Sequence, residues 1–463
     1  MLSSTISRPK RIGVRCQMDE YGLAVFIDVS TVVLCVGLLF RFGDLRLSHP
    51  AVPYTIFHVH TITIRLVGLL NGAPTLYSNT FLDFAPVRPE EIVRATLYAD
   101  IALWLVTLVW IGINLIRRPR VRENPIMLDG RLLRPILIVA FFVGVVGIRL
   151  AARVPGVDAY DWNPSNVWST SSYVYILPSW MGLAVLGHIY FYGFRRWTFV
   201  LLAIYLVLMA VQGGMRFRFI IGFLLAVQIW VEHRNRRWPS RGLFLGMVVV
   251  ALLFFPMKAI GGLIQTGGSL EELSEAVTRS VTDVTEGAAG DQMFLDEYAS
   301  GLTLIDLQGK KYMGSIYLPI LTLPIPRFLW PDKPGLSDHM SDISTLQRPM
   351  GASGMIITYL GESYANFGLA GIFLVPPILA LFLGLFYQAA YEAPRESVIH
   401  FSYLLLSVNL IQNFRDGLLS IIVFTFVNMM PLMIIVLVHL GAATIRGRRE
   451  AELRRFLGSP GNT

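Results

Sequence analysis

Arg327 and Lys333 stand six positions apart in the stretch IPRFLWPDKP, with Pro326, Pro331 and Pro334 around them. Proline fixes its own φ and restricts the residue before it, so the two cations are held within a narrow range of separations. Fixed positive charge of this kind suits the negative charge that grows on a departing phosphate. An ordinary surface turn, with Trp330 in the aromatic belt of a membrane interface, accounts for the same residues without chemistry.

Arg216 and Arg218 follow a double glycine in QGGMRFRF. Gly213 and Gly214 let a ligand or another backbone come close. A guanidinium offers a planar fork of donors that matches phosphate oxygens in pairs, which makes a diphosphate the natural partner. Snorkelling to lipid headgroups is the plainer alternative. Glu362, in GESYANFG, is a carboxylate at the edge of an apolar run, and such groups default to functional candidates. Two roles fit it: a general base, or a counter-ion that holds an arginine in position. Arg348 and Arg415 extend the cationic set, although Arg415 beside Asp416 also fits a local ion pair. The candidate diphosphate-binding residues are thus Arg216, Arg218, Arg327, Lys333, Arg348 and Arg415, and the candidate catalytic ones are Arg327, Glu362 and Arg216. His49 and His339 titrate near neutrality and can move protons; a lone histidine in an apolar chain is more often a packing residue. HExxH, Walker and GxGxxG sequences are missing, as is an outer-loop DxD, so no metal or nucleotide cofactor is expected.

The elements that must position these residues are membrane helices. Of 463 residues, 54% are hydrophobic and only 15% charged, with mean hydropathy +0.57, which is too apolar for a soluble globular chain. The composition predicts an all-α polytopic integral membrane protein. The formal charge of +8 comes from basic residues that punctuate apolar runs, the pattern that orients membrane proteins, so nucleic acid is not an expected partner. Cys16 and Cys35 give neither a disulfide framework nor a zinc pattern. Met1–Glu20 forms a charged tail with no short apolar stretch before small residues, so a cleavable leader is not expected.

About 20 apolar residues cross a bilayer. On that criterion spans are predicted near 22–40, 94–116, 132–151, 173–193, 197–211, 219–232, 242–257, 369–390, 400–414 and 417–440. Residues 51–70, apolar but carrying His58, His60 and Arg65, are either an eleventh span or an interfacial helix. Basic segments at 117–122, 195–196 and 233–241 and the basic tail within 441–463 read as cytoplasmic. The alternation then places 152–172, 212–218, the large loop 258–368 and the turn at 413–417 outside. The basic run Arg8–Arg15 also reads as cytoplasmic, and on that reading 51–70 cannot be a complete span.

Arginines on the outer side run against the positive-inside rule and therefore need a reason. Between 258 and 355 the loop carries twelve acidic and seven basic residues, so it is no general basic patch. Within it, Ser269 and Glu272 have capping-box spacing, predicting an amphipathic helix to about Val284. A second helix is expected over Asp291–Leu307. YLPILTLPIP at 317–326 cannot be one continuous helix and should turn at the interface.

GGMR at a span junction, a long outer loop, IPRFLWPDKP and then GESYANFG opening a late helix together resemble the bacterial Wzy-type oligosaccharide repeat-unit polymerases, the O-antigen polymerase family. The resemblance covers about residues 200–440. It implies a single membrane domain of some 10–11 helices with the architecture shared by O-antigen ligases and other membrane glycosyltransferases, placed in the bacterial cytoplasmic membrane with a cytoplasmic C-terminus. It implies glycan polymerisation at the outer face from undecaprenyl-pyrophosphate-linked chains and repeat units, as part of polysaccharide biosynthesis for the cell envelope. Arg216, Arg327 and Lys333 match the family's positions, with Glu362 close to its acidic-glycine motif; a flippase and a chain-length regulator are implied as pathway partners. A ligase of the same fold is the nearest rival. A flippase for lipid-linked sugars is the rival of another class, and would carry charges in mid-span along many helices.

Overall fold

The computed structural model describes residues 12–73, 87–116, 130–151, 177–211, 216–250, 294–318, 358–395, 397–418 and 432–441, with a few positions near 75, 269–278, 321, 329–330, 429–430 and 444–445. Every extended element among the described residues is helical, and no strand is present among them. The helices are α1 (Ile12–Phe42), α2 (Ala51–His58), α3 (Ile64–Leu70), α4 (Pro89–Ile116), α5 (Gly130–Ala151), α6 (Leu177–Tyr192), α7 (Arg196–Val211) and α8 (Arg216–His233). They continue with α9 (Arg241–Val250), α10 (Phe294–Gln308), α11 (Thr358–Phe367), α12 (Leu369–Glu392), α13 (Val398–Asp416) and α14 (Leu432–Gly441). Three stretches, Glu20–Phe42, Pro89–Ile116 and Leu369–Glu392, are long and apolar enough to cross a membrane. Their outward faces expose Phe26, Val33, Leu108, Leu115, Ile378 and Phe382, apolar surface that water would disfavour and hydrocarbon accepts.

Residues 51–70 form one broken helix, in which a wide π turn at Val59–Thr63 separates α2 from α3. Its polar side chains face protein: His58 and Arg65 are buried, whereas Ile56, Ile64 and Val67 are exposed on another face. The sequence left open whether this segment crosses. Its polar groups find partners elsewhere in the bundle, His58 with Asp28 and Arg65 with Asp296.

Short hydrogen bonds fix which helix ends lie together. Leu47 N donates to the Arg237 carbonyl at 3.0 Å, Asp44 meets Arg237 at 2.8 Å, and Asn114 Nδ2 donates to the Phe42 carbonyl at 2.6 Å. The end of α1, the 43–50 turn, the end of α4 and the arginine-rich 233–241 segment therefore share one end, here the basic end. At the other, the layered end, α10 and α11 pack against the starts of α1 and α4. Arg15, in the first turn of α1, lies at the opposite end of that helix from the 43–50 turn, which is hydrogen-bonded to 233–241.

Two large apolar cores and a small one around Tyr387, Ala390 and Tyr403 form among the described residues. One large core joins α1–α4 with α10, α11 and α12; the other joins α5–α8 with α14. The amphipathic α13 is their common wall, giving Leu406, Leu410 and Phe414 to the first and Phe401, Leu404 and Val408 to the second. Whatever α13 carries at its layered end is thereby held between both halves.

Candidate functional site

The layered end is built downward into the bundle by one ion pair. Asp296, in the first turn of α10, accepts from Arg65 Nε at 2.8 Å and from Arg65 Nη2 at 2.7 Å, with both side chains fully buried. Two parallel charge-assisted bonds fix the orientation as well as the contact. The predicted helix over Asp291–Leu307 is present as Phe294–Gln308, buried along most of its length. The capping box is present too: Ser269 N donates to Glu272 at 3.1 Å and Glu272 N to Ser269 Oγ at 3.2 Å.

At the exposed edge of the same helix, Asp306 gathers Arg94 Nη1 at 2.8 Å, the Tyr364 hydroxyl at 2.7 Å and Lys311 Nζ at 3.4 Å. Burial alone would raise the Asp306 pKa, but the Tyr364 hydrogen bond and the charges of Arg94 and Lys311 prevail and hold it below the usual carboxylate value. Beside this cluster lies a depression of about 370 Å³ whose lining includes Arg88, Glu91, Arg94, Thr303 and Asp306.

Glu362 is 3% exposed, inside α11 rather than in a loop. Its Oε2 accepts the Leu418 amide at 2.6 Å, across the turn that ends α13. Gly417 there has φ +98, and a Cβ at this position would stand 2.0 Å from Glu362 Oε1, so the turn closes tightly only around glycine. The carboxylate therefore anchors the turn that carries Arg415. Arg415 Nε in turn donates to Asp416 Oδ1 at 2.6 Å, and its guanidinium stands 5.2 Å from the Phe294 ring centre. Its side chain keeps 16% exposure, enough for a ligand to reach. Burial first, and the Glu362 charge second, push the neighbouring Tyr317 hydroxyl well above its ordinary pKa.

The other arginines are placed as follows. α8 begins at Arg216, and the side chains of Arg216 and Arg218 lie outside the described residues. Ser407 Oγ donates to Gln228 Oε1 at 2.9 Å, which sets the register of α8 against α13. From that level, at about 1.5 Å per residue, Arg216 stands about 18 Å and Arg415 about 12 Å toward the layered end. The two arginine-bearing helix ends thus emerge on the same side. Arg327, Lys333 and Arg348 lie outside the described residues. Between Arg327 and Lys333, Leu329 and Trp330 are exposed.

His49 belongs elsewhere. It sits at the basic end, buried, with its ring 4.7 Å from Tyr387 and 5.8 Å from Trp110, and its Nδ1 accepts the Ala51 amide at 3.1 Å. Burial pushes its pKa down to about 3, which removes it from proton transfer at neutral pH. His339 lies outside the described residues.

Sequence reasoning did not pair Arg65 with Asp296, and it passed over Arg94, Asp306 and Asp100. The available signal was the charge itself: each of Arg65 and Asp100 interrupts an apolar run, and a buried charge requires a partner. No protein-family model, curated protein or solved structure matches this chain.

Proposed function

We propose that this chain is a membrane glycosyltransferase that polymerises polyprenyl-diphosphate-linked oligosaccharide repeat units at the layered end, which faces outward. The observation that carries the reading is that the start of α8 at Arg216, the end of α13 at Arg415 and the α10–α11 layer lie at one end of the bundle. The start of a helix already favours an anion through its free amides and dipole, and two guanidiniums there strengthen that preference. The depression around Arg94 and Asp306 sets a few donors and acceptors in a mostly apolar lining, a surface that suits a sugar ring.

The acceptor hydroxyl attacks the anomeric carbon of the donor, the glycosidic bond to the diphosphate breaks, the lipid diphosphate leaves with the bonding pair, and the hydroxyl proton passes to the released diphosphate or to water. Arg327, Lys333 and Arg216 stabilise the charge on that leaving group, with Arg218, Arg348 and Arg415 in support. Glu362 acts by positioning the turn that holds Arg415.

A second reading, translocation of lipid-linked sugars, draws on the buried Asp28, His58 and Asp100, since ionisable groups in mid-membrane often mark transport paths. One experiment separates the two. The purified chain is placed in proteoliposomes with lipid-linked repeat units, and the products are resolved by length. Polymerisation gives a ladder that Arg327→Ala abolishes in a protein that still folds. Translocation without lengthening, or transfer of a finished glycan to an unrelated acceptor, overturns the reading.

A further inference from the structure

Asp28, His58 and Asp100 meet in the middle of the bundle, delivered by α1, α2 and α4. Asp28 lies eight residues below Glu20 and Asp100 eleven below Pro89, depths of about 12 and 16 Å at 1.5 Å per residue. Their exposures are 0, 1 and 4%. His58 Nε2 is 2.9 Å from Asp28 Oδ1 and 3.5 Å from Asp100 Oδ1, and one ligand atom from each residue lies within 4.8 Å of the others. Asp28 Oδ2 and Asp100 Oδ2 are buried with no well-formed hydrogen bond among the described residues, and Asp100 Oδ1 has only the long His58 contact.

The charge count is what makes this cluster unusual. No lysine or arginine ion pair reaches either aspartate among the described residues, and uncompensated buried charge costs several kcal/mol. An imidazolium offsets one carboxylate and leaves the other over. A neutral imidazole with a divalent cation offsets both, and so does an imidazolium with one carboxyl proton.

The donor set favours the cation, and the spacing admits it. With metal–nitrogen and metal–oxygen bonds of about 2.0–2.2 Å, tetrahedral ligand atoms stand about 3.3 Å apart, and the separations of 2.9 and 3.5 Å straddle that value. One imidazole nitrogen with two carboxylate oxygens suits zinc or a neighbouring first-row ion, whereas magnesium and calcium prefer oxygen alone. The π turn that follows His58 directly is of a kind that recurs at functional sites.

We propose that Asp28, His58 and Asp100 bind one divalent transition-metal ion, zinc foremost, which clamps α1, α2 and α4 together in mid-bundle. The ion serves the fold and stands apart from the layered end, so this site and the glycan reading can fail independently.

The full chain, purified without metal-chelating tags and exchanged into nanodiscs, is titrated with Co²⁺ and with Zn²⁺. Metal per chain is measured by mass spectrometry and Co²⁺ coordination by visible absorption. The expected result is one ion per chain, a low-coordinate Co²⁺ spectrum bleached by Zn²⁺, and a melting temperature that rises with Zn²⁺. Asp28→Asn and Asp100→Asn should each weaken binding by more than about a hundredfold, beyond the ~10–100-fold that loss of an outer-shell partner costs. The site is overturned if the wild-type chain binds no divalent ion, or if folded variants bind as the wild type does. Where a variant fails to fold, the wild-type Co²⁺ spectrum decides: absorption of an octahedral, all-oxygen ion refutes the assignment.

Discussion

The two ends of the bundle are secured by different means. At the basic end an exposed pair, Asp44 with Arg237, sits above a largely buried network in which Glu232, Ser48 and Tyr391 hydrogen-bond where α8 and α12 end. At the layered end, α10 and α11 are inserted into the bundle by a fully buried ion pair, and a buried carboxylate holds the last turn of α13. The first arrangement fastens loops; the second builds a floor beneath a face that still presents arginine.

The sharpest way to break this contrast is to cut the buried pair. Arg65→Ala or Asp296→Ala leaves one uncompensated charge in the core and should cost about 3–5 kcal/mol, read by denaturant unfolding in detergent and by faster hydrogen exchange across 294–308. Arg65→Met combined with Asp296→Leu should recover most of that loss, since an apolar pair of similar volume is tolerated. If the single changes cost under ~1 kcal/mol, the floor is not held by this pair.

Gly417→Ala comes next. Its Cβ would stand 2.0 Å from Glu362 Oε1 at φ +98, and overpacking of this kind costs about 1–3 kcal/mol. Glu362→Gln keeps an oxygen for the Leu418 amide and should cost only ~1 kcal/mol. Its chain-extension rate should stay within about tenfold of wild type with an unchanged pH profile, whereas loss of a true general base removes about 10²–10⁴-fold.

The pH dependence of the layered end follows from Asp306. Its folded pKa is depressed, so the stabilisation is complete above the unfolded carboxylate value of about 4 and fades as pH falls through the lower folded value. Hydrogen exchange of α10 followed from pH 6 down to pH 2 should reveal this acid loosening, and Tyr364→Phe should shrink it. Smallest of all, Asp44→Asn at the basic end should change stability by no more than ~0.5 kcal/mol, as for other exposed pairs.

Local patterns carried much of this into the sequence. The apolar runs located the long helices, Ser269 and Glu272 announced a capped helix start, and Asp291–Leu307 foreshadowed α10. What sequence periodicity did not convey was pairing across distance. Arg65 and Asp296 are 231 residues apart, and Asp28, His58 and Asp100 come from three helices, so neither set has a spacing that a motif could encode. The role of 51–70 stayed open in the sequence because the partners of His58 and Arg65 lie elsewhere in the chain. For the candidate site, Glu362 and Arg415 were visible as anomalous charges, but that the first holds the turn of the second depends on the packing of α11 against α13.

Whether the layered end faces outward decides whether a diphosphate-linked glycan can meet these arginines at all. The most direct measurement replaces Cys16 and Cys35 and places single cysteines by Lys311→Cys or Asn235→Cys, then applies a membrane-impermeant maleimide to intact cells. Labelling at 311 and protection at 235 is the expected result. Labelling at 235 with protection at 311 would put the floor and its arginines in the cytoplasm and contradict the account.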